Sequence, residues 1–216
     1  MTKPLVAPSI LSADFANMEK AALDVRKWGG DWLHCDVMDG VFVPNITFGM
    51  PMVKALDRVT DMTLDVHLMI TEPEKYVERF CDVGADFVTF HVDASKNVDG
   101  ALDAIKAKGK KCGLVLNPDK PLSLVKPYID KIDMLLIMSV YAGFGGQKFI
   151  PESVQKLKDA KKLIGDRNVL LEIDGGVGED NAKEIIAAGA DVLVAGSSVF
   201  GSKNPEKVIS ALKGIE

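Results

Sequence analysis

The sequence has few of the residues that mark a secreted, disulfide-bonded protein. Only three of its 216 residues are cysteines, and Cys35, Cys81 and Cys112 are scattered along the chain. An odd number of widely spaced cysteines does not form a disulfide framework. We therefore expect reduced thiols in the core and a cytoplasmic location, because disulfides are rare in that compartment.

The chain also lacks the features of membrane and nucleic-acid-binding proteins. No apolar run approaches a membrane span. The short apolar start, followed closely by Asp14, is unlike a signal peptide. The formal net charge is −5 at pH 7, and no run of lysine or arginine opposes it. Neither a membrane nor nucleic acid is therefore expected as a partner. An anionic small molecule remains a candidate, because a local pocket can oppose the global charge.

What the chain does contain is a regular alternation of apolar, β-rich runs and amphipathic stretches. The predicted strands are residues 5–10, 32–36, 62–67, 86–91, 112–117, 133–138, 169–174 and 191–195. The predicted helices are residues 14–27, 51–58, 72–84, 98–108, a short one between 121 and 127, 151–164, 179–188 and 205–212. Ser12 is a candidate cap for the first helix.

Eight strand–helix units in a row indicate a parallel sheet. Within about 216 residues they predict a (β/α)8 TIM barrel with eight parallel strands, at the short end of its size range. No break in composition divides the chain, so residues 1–216 are expected to form a single domain. A doubly wound open sheet is the alternative, but it has fewer strands.

The residues suited to metal binding fall at the ends of predicted strands. The three histidines, His34, His67 and His91, all do so, and Asp36 and Asp174 end strands two and seven. The C-terminal ends of barrel strands meet at one face. Two imidazoles, from His34 and His67, and the two carboxylates therefore form a candidate site for Zn, Fe, Mn or Co, among which the sequence does not choose. The alternative for each residue alone is a hydrogen-bonded polar group at a strand end.

Other residues near these strand ends have two interpretations each. Asp65, one layer deeper, either orients a ligand histidine or is a satisfied buried polar group. His91 either belongs to the pocket or its surroundings or is a hydrogen-bonded structural residue, and the second interpretation is favoured. Met38 and Met69 are expected just past strands two and three, and Met138 at the end of strand six. They are either core filler or an apolar wall that excludes water from a reacting centre.

Glycine-rich loops follow the last three predicted strands. They are Gly143-Phe144-Gly145-Gly146, Gly175-Gly176 and Gly196-Ser197-Ser198. Glycines let backbone N–H groups approach an anion, and barrels commonly bind phosphate after strands seven and eight. Three adjacent loops therefore predict a phosphate site, although flexible turns are the alternative. The pattern is not a dinucleotide-binding fingerprint.

Taken together, the chain resembles the ribulose-phosphate 3-epimerase family along essentially its whole length. The matching motifs are Ala7-Pro8-Ser9-Ile10-Leu11, His34-Cys35-Asp36-Val37-Met38-Asp39-Gly40, Phe42-Val43-Pro44-Asn45, Asp65-Val66-His67-Leu68-Met69, Gly143-Phe144-Gly145-Gly146-Gln147, Asp174-Gly175-Gly176 and Val194-Ala195-Gly196-Ser197. Two departures are Tyr141-Ala142, where the family usually has Asn-Pro, and Asp93, where it often has Glu. Tyr141 bears on the shape of the loop over the substrate.

The resemblance implies a barrel of the ribulose-phosphate-binding type and an isomerase of the pentose phosphate pathway. The enzyme would interconvert D-ribulose 5-phosphate and D-xylulose 5-phosphate. It implies one divalent metal ion held by His34, Asp36, His67 and Asp174. It implies Asp36 and Asp174 as the two proton-transfer groups, with Ser9, His67 and the three glycine loops as substrate contacts.

The chemistry is consistent with this implication. Epimerisation at C3 removes a proton beside a carbonyl and returns one from the opposite face, so it needs two acids on opposite sides. Strands two and seven are expected to face each other roughly across the barrel. The developing enediolate needs positive charge at its oxygens, which a metal supplies.

Three alternatives remain open at this point. A D-allulose 6-phosphate 3-epimerase keeps the chemistry with a sugar one carbon longer. A decarboxylase of the orotidine phosphate type needs a lysine where Val37-Met38 stand. A non-catalytic sugar-phosphate-binding barrel would not need both acids and all four candidate ligands. The oligomeric state, including a homo-oligomer, is also left open.

Overall fold

Eight parallel strands form one sheet in the computed structural model, which describes residues 3–215. The strands are β1 (Leu5–Pro8), β2 (Trp32–Met38), β3 (Thr63–Met69), β4 (Phe87–His91), β5 (Lys111–Leu116), β6 (Met134–Met138), β7 (Leu170–Asp174) and β8 (Val192–Ala195). Their order is β1-β8-β7-β6-β5-β4-β3-β2, and a parallel bridge from Ser9 to His34 joins the two ends. The predicted (β/α)8 barrel is therefore confirmed.

Helices cover the outside of the sheet. They are α1 (Met18–Lys27), α2 (Met50–Val59), α3 (Val77–Asp82), α4 (Val98–Ala107), α5 (Ser153–Ile164), α6 (Glu179–Ala187), α7 (Ser197–Phe200) and α8 (Pro205–Leu212). None of the helices within residues 3–215 is both long enough and apolar enough to cross a membrane. The short α7 follows β8 directly and was not predicted, because four residues carry too little periodicity to identify a helix.

The first helix begins later than the sequence predicts. Residues Phe15–Asn17 form a 3-10 turn that precedes α1, and the Oδ1 atom of Asp14 accepts a hydrogen bond from the Ala16 N–H at 3.0 Å. Asp14 therefore caps this turn, and the assignment of Ser12 as the helix cap was wrong. A carboxylate at this position satisfies a backbone donor that the first turn leaves free.

The predicted short helix between β5 and β6 is also different. Two 3-10 turns, Leu122–Leu124 and Lys126–Tyr128, replace it, and Pro127 lies inside the second turn rather than at a boundary. Proline is tolerated there because the first residues of a helical turn have no internal acceptor for their N–H groups. The predicted strand 5–10 likewise ends early, at Pro8, because Ile10–Ser12 form another 3-10 turn.

Strands β2 and β3 extend further than the sequence predicts, and this changes the position of the candidate ligands. Met38 and Met69 are the last residues of these strands rather than loop residues beyond them. His34 consequently lies in the middle of β2, and Asp36 lies two residues before its end. The bends at Gly40 and Thr71 come after both strands. The prediction ended each strand at a polar residue, Asp36 or His67, and therefore two residues too early.

The side chains of β2 and β3 alternate between two environments, as the strand period of two requires. Leu33, Cys35 and Val37 belong to the hydrophobic core between the sheet and the helices. The alternate residues, His34 and Asp36, are buried polar residues of the barrel interior. Complete burial of one large apolar side chain contributes about 1.5–3 kcal/mol. The apolar face therefore holds the strand in the register that points its polar face inward.

Candidate active site

Four of the predicted site residues come together inside the C-terminal end of the barrel. His34 and Asp36 lie on β2, His67 lies on β3, and Asp174 is the last residue of β7. One ligand-type atom from each of the four lies within 4.8 Å of the corresponding atoms of the others. Parallel pairing places Asp36 directly beside His67. The structure thus groups the four residues that the sequence grouped.

Asp36 lies at the centre of these contacts. Its Oδ1 atom is 3.3 Å from His34 Nε2 and 3.3 Å from His67 Nδ1. Its Oδ2 atom accepts a hydrogen bond of 2.5 Å from the hydroxyl of Ser9, which follows β1. Three strands of the barrel therefore converge on one carboxylate.

The histidine atoms that face this carboxylate fit a divalent cation. Within residues 3–215, His34 Nε2 and His67 Nδ1 are fully buried nitrogens that have no hydrogen-bond partner. Buried polar atoms are rarely left without a partner, so each such atom needs an explanation. Two imidazole nitrogens and two carboxylates are a donor set that Zn, Fe, Mn or Co accepts.

The second nitrogen of each candidate ligand histidine is fixed by another buried side chain. His34 Nδ1 lies 2.5 Å from Asp65 Oδ2, and His67 Nε2 lies 3.0 Å from His91 Nε2. Asp65 thus orients His34 on the neighbouring strand, because the register pairs these two residues. Hydrogen bonds of this kind select the ring tautomer and leave the other nitrogen for the metal.

Glu172 is a buried acid that the sequence analysis missed. It lies on β7, its carboxylate is fully buried, and its Oε1 atom is 3.9 Å from His34 Nδ1. With Asp65 it forms a deeper polar layer beneath the candidate ligands. The signal was present, since Glu172 stands two residues before Asp174 and therefore shares its inward face. Burial and the nearby Asp65 carboxylate raise the pKa of Glu172 well above its ordinary value.

The two acids of the site differ in proton affinity. Burial alone would favour the protonated form of Asp36, but the rings of His34 and His67 outweigh burial and lower its pKa. Burial and the charge of Asp36 raise the pKa of Asp174 to about 7. Near neutral pH, Asp36 is therefore ionised, and Asp174 is the acid that can gain or lose a proton.

The two histidines also differ. Although burial opposes its charge, the carboxylates of Asp36 and Asp65 raise the pKa of His34 well above its usual value. Burial lowers the pKa of His67 despite its contact with Asp36. Burial and His67 also lower the pKa of His91. A cation at the cluster must therefore displace a proton from His34 before the ring can bind it.

One pocket opens above this cluster, and most of the predicted substrate contacts line it. The predicted residues at its surface are Ser9, Asp36, Met38, Met69, Met138, Gly143, Phe144, Gly145, Gly146, Asp174, Gly175, Gly176, Gly196 and Ser197. His34 and His67 lie beneath the pocket rather than on its wall. Residues that the sequence analysis did not predict as substrate contacts also line it, namely Leu11, Ser12, Val140, Tyr141, Ala142, Gln147, Val177 and Val194.

The three methionines form an apolar wall and also pack within the core. Met38 and Met69 are buried together with Val43, and Met138 packs with a second buried group that includes Val140. Each therefore fills space and presents an apolar surface to the pocket. An apolar wall strengthens electrostatic interactions inside the pocket because it excludes water.

The three glycine loops meet at the rim of the same pocket. Among the described residues that line it, none is a lysine or an arginine. An anion bound here would therefore rely on backbone N–H groups and hydroxyls. The loops also pack closely: a Cβ atom on Gly196 would lie 2.6 Å from the Ser12 hydroxyl oxygen. At Gly176, φ is +64°, and a Cβ atom would lie 2.5 Å from the Phe149 nitrogen.

Side-chain amides hold the loop that follows β6 over the pocket. Asn45, in the loop after β2, donates to the Gly143 carbonyl at 2.9 Å. Gln147 donates to the carbonyls of Tyr141 and Phe144, at 2.7 and 2.9 Å. Asn45 is 98 positions from Gly143, so no local sequence signal reveals their contact.

The positions of the two acids refine the expected geometry. In the strand order, β2 is separated from β7 by β1 and β8, so the two strands are three steps apart around the barrel. In an eight-stranded barrel, the strand directly opposite would be four steps away. The expectation that these strands face each other therefore holds only approximately. Both acids nevertheless line the same pocket.

Comparisons with known proteins agree on one family. The model of the "Ribulose-phosphate 3 epimerase family" matches residues 5–200. The ribulose-phosphate 3-epimerase of Bacillus subtilis is 47% identical over 212 residues, which cover 97% of this chain and 98% of that protein. The ribulose-phosphate 3-epimerase of Serratia marcescens is 49% identical over 211 residues, covering 96% of this chain and all of that protein.

Solved structures support the architecture. A crystal structure of 3-hexulose-6-phosphate synthase from Salmonella typhimurium aligns with a TM-score of 0.72 and 18% identity. The alignment covers 97% of this chain and 97% of that chain. At this level of identity the likeness establishes a shared barrel fold, and the chemistry must be argued from the site itself.

Proposed function

The chain belongs to the ribulose-phosphate 3-epimerase family, and from this premise we propose how its residues perform the reaction. The activity is that of an isomerase which epimerises C3 of D-ribulose 5-phosphate to give D-xylulose 5-phosphate. One observation carries the proposal: two acids of different proton affinity, Asp36 and Asp174, share a pocket with a candidate metal cluster and three glycine loops.

We assign the metal to His34 Nε2, His67 Nδ1 and the carboxylates of Asp36 and Asp174. The unpartnered nitrogens and the mixed imidazole–carboxylate set support a divalent ion of the Zn, Fe, Mn or Co group. When bound, the ion supplies positive charge that stabilises the oxygens of the enediolate. Asp65 holds the His34 ring in the orientation that presents Nε2 to the cluster.

We assign the two proton transfers to the two acids. The pKa of Asp36 is kept low by the neighbouring histidines, so this carboxylate starts ionised and accepts the C3 proton of the ribulose form. Asp174, whose pKa is raised to about 7, holds a proton that it delivers to the opposite face of C3. In the reverse direction the two residues exchange roles. Ser9 donates to Asp36 Oδ2 and so fixes the carboxylate as the proton moves.

We assign the phosphate to the rim formed by Gly175-Gly176 and Gly196-Ser197. None of the described residues that line the pocket is a lysine or an arginine, and this supports recognition of the phosphate through backbone N–H groups. The loop containing Gly143, Phe144, Gly145 and Gly146 then covers the sugar. Met38, Met69 and Met138 exclude water from the reacting carbon on the metal side.

One coupled experiment tests this assignment. The purified protein is analysed for its metal content and assayed on five-carbon and six-carbon ketose phosphates. We expect a divalent ion bound to the protein and faster turnover of D-ribulose 5-phosphate than of D-allulose 6-phosphate. Faster turnover of the six-carbon substrate would contradict the sugar assignment, and full activity in metal-free protein would contradict the metal assignment. The cytoplasmic location and an ion of the Zn, Fe, Mn or Co group stay predictions from the sequence.

A further inference from the structure

The loop over the pocket is attached at its start to a residue outside the pocket. The backbone N–H of Ala142 donates to Asn117 Oδ1 at 3.2 Å. Asn117 follows the end of β5 and does not line the pocket, whereas Ala142 does. This hydrogen bond therefore connects the pocket wall to the neighbouring part of the barrel.

The helix that follows the loop holds the same residue. Lys156, on α5, donates from its Nζ atom to the carbonyl of Asn117 at 2.7 Å and to that of Pro118 at 3.3 Å. Lys156 is half-buried, and this burial lowers the pKa of its amine to about 8. The start of the loop and the helix beyond its end are thus both tied to Asn117.

We propose that Asn117 and Lys156 are positioning residues that fix the loop Ala142–Gln147 in the shape that receives the sugar phosphate. Neither residue touches the pocket, so both act through the loop. The hydrogen bonds that join Asn117 to Ala142 and to Lys156 are here called the tether. The inference rests on the proposed function for the identity of the ligand, but the tether is a property of the free protein. Phe144 in this loop and Tyr141 just before it are both about half exposed.

A physical argument gives the expected effect. A loop that is already ordered loses little conformational entropy when it closes on a ligand, whereas a loosened loop must be ordered at the expense of affinity. Among the described hydrogen bonds, none joins Asn117 or Lys156 to the acids or to the candidate ligands, so the chemistry should be preserved. Loss of the tether should therefore raise KM far more than it lowers kcat.

The first test compares two lysines on the same helix. Lys156→Met removes the donor but keeps most of the side-chain length, and Lys158→Met removes an equal charge from an exposed position on α5. We expect Lys156→Met to raise KM for D-ribulose 5-phosphate about tenfold, with kcat and metal content nearly unchanged. Lys158→Met should match the wild type. Equal KM values for the two variants would overturn the proposal.

The second test measures the tether directly by hydrogen–deuterium exchange in the substrate-free protein. In Asn117→Leu, the backbone amide of Ala142 loses its acceptor, so exchange in the segment 142–147 should accelerate. Asn117→Asp keeps an acceptor oxygen, so this segment should exchange as slowly as in the wild type. Unchanged exchange in Asn117→Leu would overturn the proposal. This result does not depend on whether the wild type turns over D-ribulose 5-phosphate, because exchange is measured without substrate.

The double variant separates a shared tether from two unrelated structural effects. If Lys156 acts through Asn117, Lys156→Met combined with Asn117→Leu should raise KM no further than Asn117→Leu alone, because neighbouring residues in one network are not additive. Full additivity of the two KM effects would show that Lys156 acts independently, and would contradict the proposal. Thermal unfolding of each variant verifies that the folded protein is being assayed.

Discussion

At the scale of single residues, the site depends on which ring nitrogen of each buried histidine is left without a hydrogen bond. The Nδ1 atom of His34 contacts Asp65, and the Nε2 atom of His67 contacts His91. Each contact occupies one nitrogen and leaves the other directed at Asp36. The candidate donor set is therefore organised in the metal-free protein, which would reduce the cost of ordering the ligands around an ion.

This arrangement makes His67 the clearest residue with which to test the metal assignment. His67→Ala removes one of two imidazole ligands, so the variant should lose both bound metal and epimerase activity. Elemental analysis and a turnover assay check the two losses in the same preparation. Asp65→Asn is the comparison: it leaves all four ligands in place and should lower metal affinity or activity only about 10–100-fold. Full metal content in His67→Ala would remove that residue from the site.

The raised pKa of His34 predicts how metal binding depends on pH. Although burial opposes the charged ring, the carboxylates of Asp36 and Asp65 raise this pKa well above its ordinary value. An ion must displace the proton from the His34 ring, whereas Asp174 keeps its proton in the assigned mechanism, so affinity should increase as pH rises from 6 to 8. Titration of metal-free protein with Zn²⁺ at pH 6, 7 and 8 measures the effect. An affinity that is constant over this range would contradict it.

At the scale of elements, strand pairing decides which side chains meet. The register that pairs Asp36 with His67 also pairs His34 with Asp65, so a candidate ligand and its orienting acid come from neighbouring strands. The sequence predicted both strands and both layers of polar residues, because alternation with a period of two is visible in the chain itself. It did not predict which histidine Asp65 would contact, since register is a property of the folded sheet.

The loops were predicted less well than the strands, for a similar reason. The glycine positions were visible, and all three glycine loops line the pocket. The contacts that shape the β6 loop were not visible, because Asn45 and Asn117 reach it from distant parts of the chain. Glu172 differs from these residues. Its position two residues before Asp174 indicates that it shares the inward face of the strand, and this signal was overlooked.

The close packing of the β8 loop yields a prediction for phosphate binding. A Cβ atom on Gly196 would meet the Ser12 hydroxyl oxygen at 2.6 Å, so Gly196→Val should displace the loop and raise KM on the order of 10–100-fold. Metal content should stay normal. Gly178→Ala is a matched control, because a Cβ atom there meets only an ordinary contact of 3.7 Å with Ser198 Cβ.

The readout for this pair is steady-state kinetics together with inhibition by inorganic phosphate. Both KM for the ketose phosphate and the inhibition constant of phosphate should rise in Gly196→Val and remain near wild-type values in Gly178→Ala. An unaltered phosphate inhibition constant in Gly196→Val would mean that the anion binds elsewhere on the protein.

At the scale of the whole molecule, the barrel brings two acids from distant positions in the sequence to one small volume. Asp36 and Asp174 are carried by strands three steps apart, and their candidate ligand atoms lie within 4.8 Å of each other. Burial raises the pKa of Asp174, and the ionised Asp36 nearby raises it further, so the proximity of the two acids contributes to their difference in proton affinity. The closed sheet thus produces the chemical asymmetry that the proposed two-acid epimerisation uses.

This asymmetry predicts that the two acids can be disabled separately. In deuterated water, the wild-type enzyme should place solvent deuterium at C3 of the product. Asp36→Asn should abolish both exchange and epimerisation of D-ribulose 5-phosphate, because the amide cannot accept the C3 proton. Asp174→Asn should still exchange C3 of the ribulose form but should not form D-xylulose 5-phosphate, since no acid remains to protonate the opposite face. Mass spectrometry and NMR of the recovered sugars distinguish these outcomes.

The control for this experiment is metal content, because both acids are also assigned as ligands. Loss of the ion from either variant would stop the reaction for a different reason, so each variant is compared at equal occupancy after reconstitution. The pattern to expect at equal occupancy is one-sided exchange in Asp174→Asn and none in Asp36→Asn. Metal-replete variants that epimerise at near-normal rates would be incompatible with two carboxylates acting on opposite faces of C3. The reverse pattern would exchange the roles assigned to Asp36 and Asp174.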